Sequence, residues 1–198
     1  MNIIGIIPAR MASTRFPGKP LAKIHGLAMI GHIYYRSKMS KLLNDVYIAT
    51  CDKEIMDYSK SIGAKAVMTK STHRGCVDRC AEAMLKIEKK TRKKVDIMML
   101  VQGDEPMVCP EMIAQTVKSL IADKLLQFSN LGLPIVTKEE QNDANVVKVV
   151  VDKNNFALYF SREPIPSWKK GAKEVPMRKQ TGLIAFRRDG LIKYGKLK

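Results

Sequence analysis

Cations and small hydroxyl residues are concentrated in one connection that follows the first apolar run of the chain. The connection spans residues 8–20, and its anion-binding candidates are Arg10, Ser13, Thr14, Arg15, Gly18 and Lys19. Arginine offers forked donors to phosphate oxygens, lysine offers a point charge, and small residues let backbone N–H groups face an anion. This mixture suits a polyphosphate, although a solvated basic turn has the same composition. The loop is not of the Walker A type, because Lys19 is followed by Pro20 rather than by Ser or Thr.

A second candidate loop carries two adjacent carboxylates, Asp104 and Glu105, directly after the apolar run that ends at Val101. Mg²⁺ takes one or two carboxylates together with phosphate oxygens, so Asp104 is a natural metal anchor. The alternative is that both acids cap the turn that follows. If the two loops converge, their cations and this carboxylate can bind one metal–polyphosphate complex.

The elements that must position these loops alternate along the first two-thirds of the chain. Short apolar runs predict strands over residues 3–7, 46–49, 64–68 and 95–101. Helical spacing predicts helices over residues 28–42, 54–62, 77–87 and 110–122. Strand-like pieces follow at residues 131–136, 146–151, 156–160 and 182–186. This order predicts an α/β fold with a mostly parallel sheet flanked by helices on both faces and a mixed-sheet C-terminal part. In such a fold ligands bind beyond the carboxyl ends of the strands, where both loops begin.

Composition narrows the class of protein. The 198 residues carry 35 Lys and Arg against 19 Asp and Glu, a net charge of +16, which favours anionic partners without choosing among them. An ordinary apolar content excludes a disordered chain, and no apolar run of the given sequence is long enough to span a bilayer. We expect no signal peptide, because the apolar stretch over residues 3–7 is short and no basic region precedes it. We expect one domain over residues 1–198, a cytoplasmic location, cysteine thiols rather than disulfides, and no structural zinc site.

Four ordered motifs resemble the sugar-acid cytidylyltransferases, and most closely the branch that acts on 3-deoxy-manno-octulosonate. The first motif runs from Ile6 through Pro20, and the second is Val101-Gln102-Gly103-Asp104-Glu105-Pro106. The third spans residues 145–150 and the fourth residues 157–166, so that the resemblance covers essentially the whole chain.

The resemblance implies transfer of CMP from CTP to an acidic 2-keto sugar, with release of pyrophosphate and a requirement for Mg²⁺. It assigns catalytic roles to Arg10, Lys19 and Asp104, with Asp104 as the metal ligand. It assigns nucleotide binding to Ala9, Arg10, Ser13, Thr14, Arg15, Lys19, His73, Arg79 and Gln102. It assigns sugar binding to Gln102, Arg162 and Gln180. It also implies a homodimer that serves bacterial surface-polysaccharide synthesis, with no nucleic-acid or membrane partner.

The chain departs from the family pattern at three places. The pattern His-x-Ser-Gly-Thr-(Asp/Glu)-Arg becomes His73-Arg74-Gly75-Cys76-Val77-Asp78-Arg79. In Arg-His-x-Gly-Ile-Tyr-x-Tyr-Arg the histidine becomes Gln180 and both tyrosine hydroxyls are lost. The sequence printed here ends at Lys198, before the segment that supplies the family's second metal carboxylate. Three alternatives therefore stay open: a catalytically impaired nucleotide-binding homologue, an enzyme that uses another base, and one that uses another sugar.

Overall fold

The computed structural model describes residues 1–12, 16–73, 75–167 and 176–197. In chain order the strands are β1 (Ile3–Ala9), β2 (Lys23–Ile24), β3 (Leu27–Ala28), β4 (Asp45–Thr50), β5 (Lys65–Met68), β6 (Ile97–Val101), β7 (Phe128–Pro134), β8 (Lys148–Val151), β9 (Ala157–Ser161) and β10 (Arg178–Arg187). The α-helices are α1 (Met29–Lys38), α2 (Lys53–Ser61), α3 (Cys76–Thr91), α4 (Pro110–Ala122), α5 (Lys138–Asn142) and α6 (Arg188–Tyr194). A 3-10 helix covers Lys19–Leu21.

The chain divides into two compact units. The first comprises Met1–Ser129 and Gly182–Lys198, and the second comprises Asn130–Thr181. That residues 1–198 act as one catalytic domain remains a prediction. In the part of the chain that the structure describes, no helix has both the length and the hydropathy that a bilayer crossing requires.

A parallel sheet forms the core of the first unit. Its strand order is β5-β4-β1-β6, and the C-terminal part of β10 adds to β6 in the antiparallel sense. Every residue of β1 and of β6 is buried. Continuous apolar runs are required here because helices cover both faces of a parallel sheet. The alternation that the sequence predicted is therefore confirmed as a mostly parallel α/β fold.

The connections between these parallel strands place the helices on the two faces of the sheet, because such crossovers are right-handed in nearly all proteins. The chain moves from β1 through α1 to β4 and on through α2 to β5, then returns through α3 to β6 on the other side of β1. This reversal puts α3 on the face opposite to α1 and α2. The apolar stripe of α3 packs against alternate residues of β1 and β6, and its buried members are Cys80, Ala83, Met84 and Ile87.

Two details of the predicted helices are wrong. The first long helix ends at Lys38 rather than at residue 42, because the chain must turn early enough for Asn44 N–H to reach Ile3 O at 2.8 Å and enter the sheet. In α4 the inward position is Thr116 rather than Ile121, which is 39% exposed. Thr116 tolerates burial because its hydroxyl donates to Met112 O at 2.8 Å.

The second unit is a mixed sheet, as the sequence predicted for this half. β8 pairs antiparallel with β9 and with the N-terminal part of β10. The fully buried ammonium of Lys148 donates to the carbonyls of Asp143 and Arg162 at 2.6 and 2.8 Å. Helix α5 was not predicted, although Thr137 accepts from Glu140 N–H at 3.1 Å as an N-cap. The Thr-Lys-Glu-Glu sequence is the signal that could have revealed it.

Candidate active site

The first unit contains a cleft where the strand order reverses. β1 connects toward β4 on one side and lies beside β6 on the other, so their carboxyl ends open a crevice between the loops that follow them. The cleft has a volume of about 280 Å³. Its lining residues are Pro8, Ala9, Arg10, Lys19, Pro20, His73, Gly75, Cys76, Arg79, Gln102, Gly103 and Asp104.

This lining brings together most of the residues that the sequence analysis singled out. They are Ala9, Arg10, Lys19, His73, Arg79, Gln102 and Asp104. Ser13, Thr14 and Arg15 lie outside the described residues. Arg162 and Gln180 belong to the second unit. The individual roles of all these side chains remain predictions.

Hydrogen bonds hold the loop after β1 at Met11 and at Gly18. Gly18 adopts a left-handed conformation with φ of 72°, and its N–H donates to Met11 O at 3.2 Å. Glycine reaches this φ without steric penalty. Met11 N–H donates to Asp52 Oδ2 at 2.8 Å. Asp52, which follows β4 at the same sheet edge, is a supporting residue that the sequence analysis missed; its place directly after a predicted strand was the available signal.

The loop after β6 meets the first loop at Gly103. A Cβ atom at this position would lie 2.5 Å from Pro8 O, so only glycine allows the two backbones to approach so closely. Beside this contact, Lys19 Nζ lies 2.9 Å from Asp104 Oδ2. Glu105 is directed elsewhere, since its Oε1 accepts from Gly182 N–H at 3.4 Å. Asp104 therefore pairs with the cationic loop rather than capping its own turn.

Gln102, the first residue of the loop after β6, is held by two hydrogen bonds. Its backbone N–H donates to Gly182 O at 3.1 Å, and its side-chain Nε2 donates to Cys76 Sγ at 3.3 Å. Cys76 is the first residue of α3, so the amide joins the β6 loop to the start of that helix. Cys76 is another site residue that the sequence analysis did not select for the cleft.

Arg79 supplies a buried positive charge to the cleft. Only 3% of this residue is exposed, and its guanidinium donates to Thr69 Oγ1 at 2.6 Å and to Lys70 O at 3.4 Å. Within the described ranges no carboxylate forms an ion pair with it. A buried cation without an acidic partner is costly, which makes this part of the cleft suited to an anionic ligand.

His73 is positioned by Glu82, one of whose oxygens contacts His73 Nε2. The same carboxylate accepts from Lys70 N–H at 2.9 Å and from Lys86 Nζ at 2.8 Å. Burial alone would raise the pKa of Glu82, but hydrogen bonds from Lys86, Lys70 and His73 outweigh it and lower the pKa to about 2. An ionised Glu82 therefore fixes the loop that carries His73 into the cleft.

The donor set of the cleft fits a hard cation held largely by a polyphosphate. Asp104 supplies one carboxylate, and Mg²⁺ commonly uses one or two carboxylates together with phosphate oxygens and water. Over the described residues there is no cluster of three or more His, Cys, Asp or Glu side chains arranged to hold a metal ion. A metal held here by protein and ligand together would take its protein contact from Asp104.

The two remaining predicted residues are engaged within the second unit. The Arg162 guanidinium donates to Ala144 O at 2.7 Å. Gln180 lies in β10, where its N–H donates to Val147 O at 2.9 Å. Their predicted contact with a sugar remains a prediction.

Comparisons with known proteins identify the family. Residues 4–198 match the cytidylyltransferase family, and the chain belongs to that family. It is 38% identical to a 3-deoxy-manno-octulosonate cytidylyltransferase of Geobacter metallireducens, over 100% of this chain and 79% of the relative. It is 39% identical to the protein of the same name from Syntrophotalea carbinolica, over 99% of this chain and 76% of the relative.

Solved structures give the same result. CMP:2-keto-3-deoxy-manno-octonic acid synthetase, complexed with CTP, superposes with a TM-score of 0.91 and 36% identity, covering 100% of this chain and 79% of that one. A cytidylyltransferase from Leptospira borgpetersenii, with a TM-score of 0.61 and 17% identity over 100% of this chain and 65% of that one, shares the fold. The resemblance stated from the four motifs is confirmed at the level of the family and the fold.

Proposed function

We propose that this protein transfers CMP from CTP to 3-deoxy-manno-octulosonate, an acidic 2-keto sugar, and releases pyrophosphate. The observation that carries the proposal is the convergence of Arg10, Lys19 and Asp104, from two separate loops, on one cleft. The relatives that share the full length of this chain carry that activity in their names, which supports the same substrates here.

In the proposed reaction the anomeric hydroxyl of the sugar attacks the α-phosphorus of CTP in line with the leaving pyrophosphate. A bond forms between that oxygen and the α-phosphorus, the bond from the α-phosphorus to the oxygen bridging to the β-phosphate breaks, and the hydroxyl proton passes to solvent. Arg10 and Lys19 stabilise the negative charge that develops on the leaving group. Lys19 would be available for this contact where Asp104 holds a cation in its place.

We propose Mg²⁺ as the cofactor, with Asp104 as its ligand from the described residues. Bound there with CTP, the ion would neutralise charge on the phosphate oxygens. Asp104 would then exchange its contact with Lys19 for one with the metal, and Lys19 would turn toward the phosphates. Because both side chains are partly exposed, at 33% and 49%, this exchange requires no disruption of the core.

The remaining cleft residues are proposed to bind the nucleoside and the sugar. Arg79, a buried positive charge, and His73, which Glu82 holds in place, both line the cleft and are proposed to contact the nucleotide. Gln102 suits hydrogen bonding to the sugar acid. Arg162 and Gln180, which belong to the second unit, remain predicted sugar contacts. Ala9, Ser13, Thr14 and Arg15 are proposed to complete the phosphate loop.

We also propose a cytoplasmic homodimer that supplies bacterial lipopolysaccharide synthesis. Strand β9 supports the dimer, because several of its apolar side chains face solvent, and Leu158 is 66% exposed. Light scattering should give a dimer mass for the native protein and a monomer mass for Leu158→Glu. Leu125→Glu, at a still more exposed position outside β9, is the control and should remain dimeric. A native monomer would contradict this assignment.

A protein that binds CTP without turnover is the second candidate. It is favoured by the presence of one carboxylate, Asp104, among the described residues that line the cleft, since Asp104 alone holds Mg²⁺ more weakly than a pair of carboxylates would. This candidate predicts nucleotide binding and no CMP-sugar, whatever sugar acid is supplied.

The two candidates are separated by incubating the purified protein with CTP, Mg²⁺ and 3-deoxy-manno-octulosonate and measuring CMP-sugar by mass spectrometry. We expect product from the native protein and a loss of about 100-fold or more in Lys19→Met. Lys23→Met, an exposed lysine outside the cleft lining, is the matched control and should retain activity. CTP binding without product would establish the second candidate, and neither binding nor product from folded protein would overturn both.

A further inference from the structure

The side-chain amide of Gln102 has one hydrogen-bond partner among the described residues, and that partner is a thiol. Gln102 Nε2 lies 3.3 Å from Cys76 Sγ at the start of α3. When His73 and Arg79 are aligned with the first and last residues of the family pattern His-x-Ser-Gly-Thr-(Asp/Glu)-Arg, Cys76 falls at the position of the glycine. The acceptor that holds this amide is therefore a feature of this chain rather than of the family pattern.

The aliphatic part of Gln102 packs closely against the backbone of Gly182. A Cβ atom at Gly182 would lie 2.3 Å from Gln102 Cγ and 2.7 Å from Gln102 Cβ. The backbone hydrogen bond from Gln102 N–H to Gly182 O, at 3.1 Å, keeps the two residues in register. The side chain thus passes over a glycine and reaches the thiol with little freedom to turn.

We propose that Cys76 is a positioning residue that fixes the amide of Gln102 so that its carbonyl oxygen accepts a hydrogen bond from a hydroxyl of the sugar acid. The inference rests on the proposed function, because Gln102 can hydrogen-bond to the sugar acid only if the cleft binds one. An amide carries donors on nitrogen and an acceptor on oxygen, and a thiol sulfur takes up one donor. One of the two N–H groups on Nε2 is directed to Cys76, and the carbonyl oxygen, the amide's only acceptor, is left for a donor on the ligand.

Removal of the thiol should weaken sugar binding through Gln102 alone. In Cys76→Ala the amide can rotate, and the loss of one neutral hydrogen bond corresponds to about a three- to tenfold increase in KM for the sugar acid. We expect kcat and KM for CTP to change by less than about twofold. Cys76→Ser retains an acceptor of similar size and should restore the native KM.

A double-mutant cycle with Gln102→Ala tests whether Cys76 acts through the amide. If it does, Cys76→Ala raises KM for the sugar acid in the native background and has no further effect in Gln102→Ala. Equal effects in both backgrounds would indicate a structural role and overturn the inference. An effect on KM for CTP instead would place the amide against the base and overturn the assignment to the sugar.

The contact itself can be observed without turnover. In the free protein, the ¹⁵N–¹H side-chain amide signals of Gln102 should move in Cys76→Ala and remain near the native position in Cys76→Ser. Unchanged signals in Cys76→Ala would overturn the proposed positioning. A native protein that makes no CMP-sugar would instead overturn the proposed function, so the two failures are distinguishable.

Discussion

Lys19 Nζ lies 2.9 Å from Asp104 Oδ2 and joins the loop after β1 to the loop after β6. Both side chains are partly exposed, so their ion pair contributes little to the stability of the fold. Its significance is chemical: a cation for phosphate and a carboxylate for a metal ion are held side by side, each neutralising the other until a ligand separates them.

Asp104→Asn should therefore remove Mg²⁺-dependent turnover while leaving the melting temperature almost unchanged. The amide keeps the size of the side chain but loses the charge that binds the cation, and we expect turnover to fall by about 100-fold or more. Product formation across a Mg²⁺ titration, with thermal melting as the control for folding, tests this. Native turnover in Asp104→Asn would remove Asp104 from the reaction.

The close approach of Gly103 to Pro8 predicts a steric effect of Gly103→Ala. A methyl group 2.5 Å from Pro8 O must push the two loops apart, at a cost of about 1–3 kcal/mol. Urea unfolding measures this loss, and turnover should fall with it. Gly195→Ala is the matched control, because a Cβ there would meet only ordinary van der Waals contacts at 3.7 Å or more. Equal stability of the two variants would contradict the close approach.

Two cysteines one helical turn apart should react very differently with iodoacetamide. Cys76 lines the cleft, whereas Cys80 is fully buried and burial raises the pKa of its thiol well above the ordinary value. We expect alkylation of Cys76 and protection of Cys80 in the native protein, measured by peptide mass spectrometry. CTP with Mg²⁺ should slow the reaction of Cys76; an unchanged rate at saturating CTP would place the nucleotide elsewhere.

The lowered pKa of Glu82 predicts that the folded protein loses stability in acid. Because its pKa is about 2 in the folded protein, below the ordinary 4.5, its ionised form stabilises the fold above pH 4.5. This contribution, on the order of 2 kcal/mol, is lost as the pH falls from about 4.5 toward 2. Glu82→Gln should thus be less stable than the native protein at pH 7, with the difference narrowing below pH 4. Urea unfolding at both pH values measures it, and a constant difference would contradict the prediction.

Much of the fold could be predicted because hydrophobic periodicity is a local property. The helix over residues 110–122 was predicted at its observed bounds, since Pro110 suits its first turn and the apolar spacing ends at Ala122. Helix α6 was missed, because it is short and only Leu191 is buried in it. Its place depends on tertiary contacts, including the ion pair between Arg188 and Glu88, which are 100 residues apart.

The charged residues of the candidate site could be predicted from the sequence, whereas the residues that support them could not. Arg10, Lys19 and Asp104 stood out because they are charged residues in the loops that follow two buried strands, and such loops meet at one sheet edge. Asp52 and Cys76 did not, since Asp52 acts on the backbone of Met11 and Cys76 on the amide of Gln102. Contacts between segments that are distant in sequence leave no periodic signal in either segment.

The measurement that tests the central claim most directly is pyrophosphate release with CTP, ATP, GTP and UTP, each supplied with Mg²⁺ and 3-deoxy-manno-octulosonate. We predict release with CTP that depends on the sugar and exceeds release with each other nucleotide by about tenfold or more. Equal release with all four nucleotides, or release that does not require the sugar, would contradict sugar-directed cytidylyl transfer.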